Sequence, residues 1–147
     1  MRIVVQDAPF ALGQEVDMFA GGAKGAGAVV SFTGIVRDVA TDDLTEMVIE
    51  HYPGMTEAAL TKITEEAMRR WALQDALVIH RFGRLRPGDH IMMVATAARH
   101  RQDAFEAAEF LMDYLKSRAP FWKKEITTDR AEWVASKEED EAALSRW

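Results

Sequence analysis

The chain has 147 residues, 48% hydrophobic and 29% charged, which suits one globular domain with a sizeable core; no apolar run approaches the roughly 18 residues of a membrane span. It has no cysteine, which excludes disulfides, thiolate metal sites and a cysteine nucleophile. A net charge of -6 argues against non-specific nucleic-acid binding, so any basic site must be a local patch.

MRIVVQ reads as a first strand, and its apolar stretch is too short for a signal peptide, so a cytoplasmic location is expected. Leu12, Val16 and Phe19 fall at helical spacing, and Gly21-Gly22 closes that helix. From Gly27 to Asp38, GAVVSFTGIVRD is rich in β-branched residues and reads as a long strand. VATDDLTE follows as a polar hairpin loop, with MVIEHY as the returning strand. After the YPG break, Leu60, Ile63, Ala67 and Trp71 make the apolar stripe of a second helix. ALVIHRFG and HIMMVATAA read as strands joined by RPGD, with Pro87 and Gly88 central in a type II turn. The strongest helix is HRQDAFEAAEFLMDYLKS. Ala104, Ala108, Leu111 and Leu115 form its stripe, Phe105 and Met112 lie beside it, and Pro120 cannot continue it. FWKKEITT returns as a strand with AEWVA as its candidate partner. The acidic tail, 136–147, has helical propensity with Ser136 as N-cap. The sum is one α+β domain over residues 1–147, with a mostly antiparallel sheet and about three principal helices.

Four places carry candidate chemistry. Arg99, His100 and Arg101 open the long helix, where free N–H groups already favour an anion. Three basic residues there are either solvated charge or a phosphate or carboxylate site. Lys116 lies in the last turn of the same helix, where complementing the dipole explains it without any function. In FWKKE, strand alternation puts Phe121, Lys123 and Glu125 on one face and Trp122 and Lys124 on the other. Only one of the two lysines can enter a given pocket; an edge strand charged against aggregation is the plainer reading. Arg37 closes a strand beside Gly34. Asp38, Glu50, His51 and His80 are further polar residues near strand ends. The four histidines lack metal-ligand spacing, and neither a P-loop nor a nucleophile elbow occurs, so no metal is expected. These cations suit an anionic small molecule and name no reaction.

Six ordered blocks go further: GAVVSFTGIVRD, IEHYPGMTE, VIHRFGRLRPGD, RHRQDAFEA, MDYLKSRAPFWKKE and EWV. Together, from about Ile3 to Val134, they resemble the large, catalytic subunit of molybdopterin synthase, the MoaE family. The resemblance implies an α/β-hammerhead-like fold and a sulfurtransferase of molybdenum cofactor biosynthesis. Two sulfurs would pass from the C-terminal thiocarboxylate of a small ubiquitin-like subunit to cyclic pyranopterin monophosphate, forming the molybdopterin dithiolene. The lack of cysteine accords with a sulfur borrowed from the partner. The resemblance also implies a homodimer at the core of a heterotetramer, with no resident cofactor and no nucleic-acid or membrane partner.

Residue by residue, it implies that Lys116 and Lys123 are catalytic. Phe32, Arg37, His100, Arg101, Lys124 and Glu125 would bind substrate with them. Ile35 departs from the pattern, standing where many relatives have lysine. Cations suit both the substrate's phosphate and an anionic tetrahedral adduct at the partner's terminal carbonyl. Clustering would lower a lysine's pKa and enlarge its neutral fraction. Arg101 and Lys116 are 15 positions apart on one helix, roughly 22 Å at 1.5 Å per residue. If both line one site, the His100-Arg101 end comes from a second subunit. The alternative function is a non-catalytic anion-binding scaffold that docks a ubiquitin-like partner; the presence of Arg37, Lys116 and Lys123 favours the enzyme. The tail is either free or covers the partner's groove.

Overall fold

In the computed structural model, which describes residues 1–135 and 137–147, strand β1 (Arg2–Gln6) leads into helix α1 (Leu12–Gly22) and strand β2 (Ala28–Ile35). Strand β3 (Leu44–His51), helix α2 (Met55–Arg70) and strands β4 (Asp75–Arg81), β5 (Gly83–Leu85) and β6 (His90–Ala98) follow. Helix α3 (Arg101–Ser117), strands β7 (Phe121–Thr127) and β8 (Ala131–Trp133), helix α4 (Glu138–Ala143) and a 3-10 turn (Leu144–Arg146) complete the chain. Ser136, expected to cap the last helix, lies outside the described residues.

The strands form two sheets, ordered β1-β4-β6-β2 and β5-β3-β7-β8. The described pairings are antiparallel except that of β1 with β4. β4 and β6 are buried along almost their whole length because both faces are covered. Leu77, Ile79, Met93, Ala95 and Ala97 pack with Phe19 of α1 on one face. Ala76, Val78, Met92 and Val94 point the other way, into the main core with Leu60 of α2 and Ala104 and Leu111 of α3. This period-two division pins the register, since a slip of one residue would exchange the two cores.

The expected hairpin between the second and third strands does not form. β2 pairs with β6, whereas β3 pairs with β5 and β7, so residues 36–43 carry the chain from one sheet to the other. The crossing is tied down. Val36 is 2% exposed, its N–H donates to Asp89 O at 2.8 Å, and its carbonyl accepts from Gly88 N–H at 2.8 Å. Asp38 Oδ1 then accepts from the N–H groups of Val39 and Leu44 at 2.8 and 3.0 Å. Alternation identifies a strand but not its partner. Val36, Leu44, Met47 and Ile49 enter the core that both sheets share, and β3 joins the second sheet by pairing with β5 and β7.

The Pro87-Gly88 turn forms as read, with Gly88 at φ 91° and Asp89 N–H donating to Arg86 O at 2.9 Å. Before it, Gly83–Leu85 leaves to pair with β3, a strand too short for periodicity to register. Phe105, placed beside the stripe of α3, is 61% exposed. The buried arc runs through Ala104, Ala107, Ala108 and Leu111, and position 105 falls about 60° beyond its Ala108 edge.

Gly27 marks a close approach of two chain segments. Its N–H donates to Ala98 O at 2.9 Å, and a Cβ there would sit 2.4 Å from Arg99 O. Gly27→Ala is expected to cost about 1–3 kcal/mol of stability, because backbone at the entrance to α3 must shift. Thermal unfolding checks this; an unchanged Tm would mean the backbone yields freely.

Candidate active site

The two sheets and α3 meet around a cavity of about 910 Å³. β2 contributes Phe32 and Ile35, and the segment after it contributes Arg37. Met112 and Lys116, one turn apart on α3, share a face and line the same space. Helix α3 ends just before Pro120, with Arg118 N–H donating to Tyr114 O at 2.8 Å. Phe121 then opens β7, so Lys116 and Lys123 stand on either side of the break. Alternation along β7 turns Lys123 and Glu125 into the cavity and leaves Trp122 half exposed on the opposite face.

Burial, and after it the neighbouring Lys116 ammonium, lowers Lys123 from 10.5 to about 8; Asp140 acts in the opposite sense. On the order of a tenth of Lys123 is then a neutral amine at pH 7. Arg37 supplies a guanidinium whose planar fork suits a phosphate. Neither lysine nor Arg37 is ion-paired to a carboxylate among the described residues.

Close to the lysines lies His80, which the sequence marks only as a polar strand-end residue. Its ring stacks on Phe121, centroids 3.7 Å apart and planes at 15°. Its Nδ1 lies 2.7 Å from Arg81 O, an acceptor only, so Nδ1 carries the proton and Nε2 does not. Burial holds His80 far below its usual pKa, at about 3. The charges of Lys123, His51 and Lys116 act the same way, and the bond to Arg81 opposes them. The ring therefore stays neutral and supports β7 without adding positive charge near the lysines.

The fold brings Phe32, Arg37, Lys116, Lys123 and Glu125 around one space. It leaves the other three predicted positions outside. Lys124 lies on the far face of β7, its ammonium 5.5 Å from the centre of the Trp133 ring. His100 occupies the N-cap position of α3 without a side-chain capping bond and Arg101 begins the helix; both are exposed at the end away from Lys116. Met112, Val134 and Lys137 line the cavity without having been singled out as site residues. The helical spacing from Lys116 could have found Met112. Val134 arrives because β8 pairs with β7 and its N–H donates to Lys123 O at 2.7 Å. No local pattern marks Lys137.

Residues 5–118 match the protein family described as MoaE protein. The chain is 67% identical to a molybdopterin synthase catalytic subunit of Cereibacter sphaeroides across the whole of both chains. It is 49% identical to a molybdopterin synthase catalytic subunit of Escherichia coli, covering 99% of this chain and 97% of that one. Among solved structures it is similar to the molybdopterin biosynthesis MoaE protein of Burkholderia ambifaria, with 52% identity, a TM-score of 0.82 and coverage of 99% and 96%. It is also similar to the molybdopterin synthase of Staphylococcus aureus, with 30% identity, a TM-score of 0.82 and coverage of 92% and 98%.

Proposed function

The chain belongs to the MoaE family and serves as a molybdopterin synthase catalytic subunit, and we propose that sulfur transfer takes place in the cavity of Arg37, Lys116 and Lys123. The observation that supports this reading is the convergence of three cations from separate elements on one space, one of them partly neutral near pH 7. The whole chain, 1–147, acts as one domain. Its substrate is cyclic pyranopterin monophosphate, whose phosphate pairs with Arg37. Since the chain has no thiol, the sulfur arrives on the C-terminal thiocarboxylate of a small ubiquitin-like subunit, threaded in as an extended tail. We place the reaction in the cytoplasm; no described helix is long and apolar enough to cross a membrane.

The thiocarboxylate sulfur attacks a substrate carbon, the C–O bond at that carbon breaks with its oxygen leaving protonated, and the partner is then held as a thioester. Water adds to the thioester carbonyl, and the Lys116 ammonium faces the oxyanion that forms. The neutral amine of Lys123 takes the proton of the attacking water. The C–S bond to the partner then breaks: sulfur stays on the substrate as a thiolate, and the partner leaves as a carboxylate. A second loaded partner supplies the second sulfur. His100 and Arg101 come to the site from a second copy of the chain.

Incubation of the chain with thiocarboxylated small subunit and cyclic pyranopterin monophosphate is expected to yield the dithiolene. A chain that binds both yet forms no dithiolene is a scaffold, and the sulfur-transfer reading then fails.

A further inference from the structure

The C-terminal segment is strapped along α3. Trp147 sets its ring edge-on to Trp71 and Phe110, with centroids 5.6 Å away in each case. Its Nε1 donates to Asp113 Oδ2 at 2.7 Å, and its backbone oxygen accepts from Arg70 Nη2 at 3.0 Å. Arg146 pairs with Glu109 and Asp113 at 2.7 and 2.6 Å. Nearer the cavity, Glu141 meets Arg118 at 3.2 Å, and Lys137 lines the cavity itself. The packing of Trp147 against the core and these bonds offset the roughly 1–2 kcal/mol per residue that ordering the tail costs in backbone freedom.

We propose that this strap is a substrate-binding element that forms one wall of the cavity and presents Lys137 as a further ligand for the substrate's phosphate. The proposal rests on reading the cavity as the sulfur-transfer site. Lys137 joins Arg37, Lys116 and Lys123 there, against the carboxylates of Glu125 and Asp38. Four cationic side chains thus face two lining carboxylates and the nearby Asp140, a local excess of positive charge on a chain of net charge -6. An anionic ligand balances that excess, and a cyclic phosphate supplies the charge and the acceptor oxygens. The anchor lies away from the chemistry, so it sets where Lys137 stands without touching the reacting atoms.

The test is steady-state kinetics with saturating thiocarboxylated partner and varied cyclic pyranopterin monophosphate. Lys137→Ala is expected to raise KM about tenfold, the loss of one charge-assisted hydrogen bond. Lys137→Arg keeps the charge and is expected to restore most of the affinity. Trp147→Ala releases the strap and is expected to raise KM while lowering Tm. An unchanged KM in Lys137→Ala overturns the proposal. So does a fall in KM in Trp147→Ala, which would make the strap an obstruction. Pterin fluorescence titrations on the chain without its partner separate the two readings. Weaker binding by Lys137→Ala, with no dithiolene formed by the unaltered chain, would overturn sulfur transfer and leave Lys137 as the phosphate ligand. Equal binding by the two chains would overturn the role of Lys137.

Discussion

Lys123→Ala is expected to lower kcat by about 10²- to 10⁴-fold, the span for a positioned proton acceptor. The substitution removes an amine whose surroundings have been arranged for it. Its burial and the Lys116 charge bring it to about 8, where neutral and charged forms coexist at working pH. Lys123→Met keeps most of the aliphatic stem, so a comparable loss in that variant separates chemistry from packing. The backbone bond from Val134 N–H to Lys123 O survives either change, which keeps β8 in place. The same assignment dictates a pH profile. Below about 8 the amine is protonated and cannot accept a proton, so kcat/KM rises with pH through that value and then levels. Removing the neighbouring charge with Lys116→Ala lets Lys123 recover toward 10.5, so the rising limb moves to higher pH. Activity near that of the unaltered chain in Lys123→Ala, or a profile that falls through pH 8, sinks the assignment.

Much of this site was legible because strand alternation and a helix break are local. Alternation separates Lys123 from Lys124 without any knowledge of the fold, and the structure places only Lys123 in the cavity. The Pro120 break brings Lys116 next to β7 by the same local logic. What could not be read locally depends on partners distant in sequence. Residues 36–43 look like a hairpin loop until Val36 is seen bonded to the turn before β6. Two sheets rather than one follow from that crossing, and it is the crossing that aims Arg37 at the cavity. Phe105 belongs to the same class, since a helical repeat shows an apolar arc but not where its edge lies. His80 and Lys137 owe their places to tertiary packing, the first through a stack on Phe121 and the second through the return of the chain past β8 to the cavity.

Arg101→Ala and Lys123→Ala, each crippled alone, are expected to recover activity when their subunits are mixed and exchanged. Arg101 and Lys116 begin and nearly end the same 17-residue helix, so their backbones are roughly 22 Å apart. One small pterin cannot bridge that distance within a single chain, and the cavity indeed contains Lys116 and not Arg101. The surface suggests how a second chain closes the gap. Phe105, one turn from Arg101, is exposed at one end of α3, while Phe32 and Ile35 are exposed where β2 borders the cavity. Large apolar side chains in both places suit a two-fold interface, where each chain offers its Phe105 end to its partner's β2 edge. Arg101→Ala alone should then lose about 10- to 100-fold in kcat/KM, the scale of one charge-assisted contact to phosphate. Random exchange makes half the dimers mixed. Each mixed dimer has one site with both residues intact, so about a quarter of the unaltered chain's activity returns. Mass spectrometry of the intact assemblies establishes that exchange has occurred. If exchange is complete and activity stays at the level of the separate variants, Arg101 serves no site across the interface. The long helix would then carry its two basic ends for separate reasons: Lys116 for the reaction, and Arg101 as charge facing solvent.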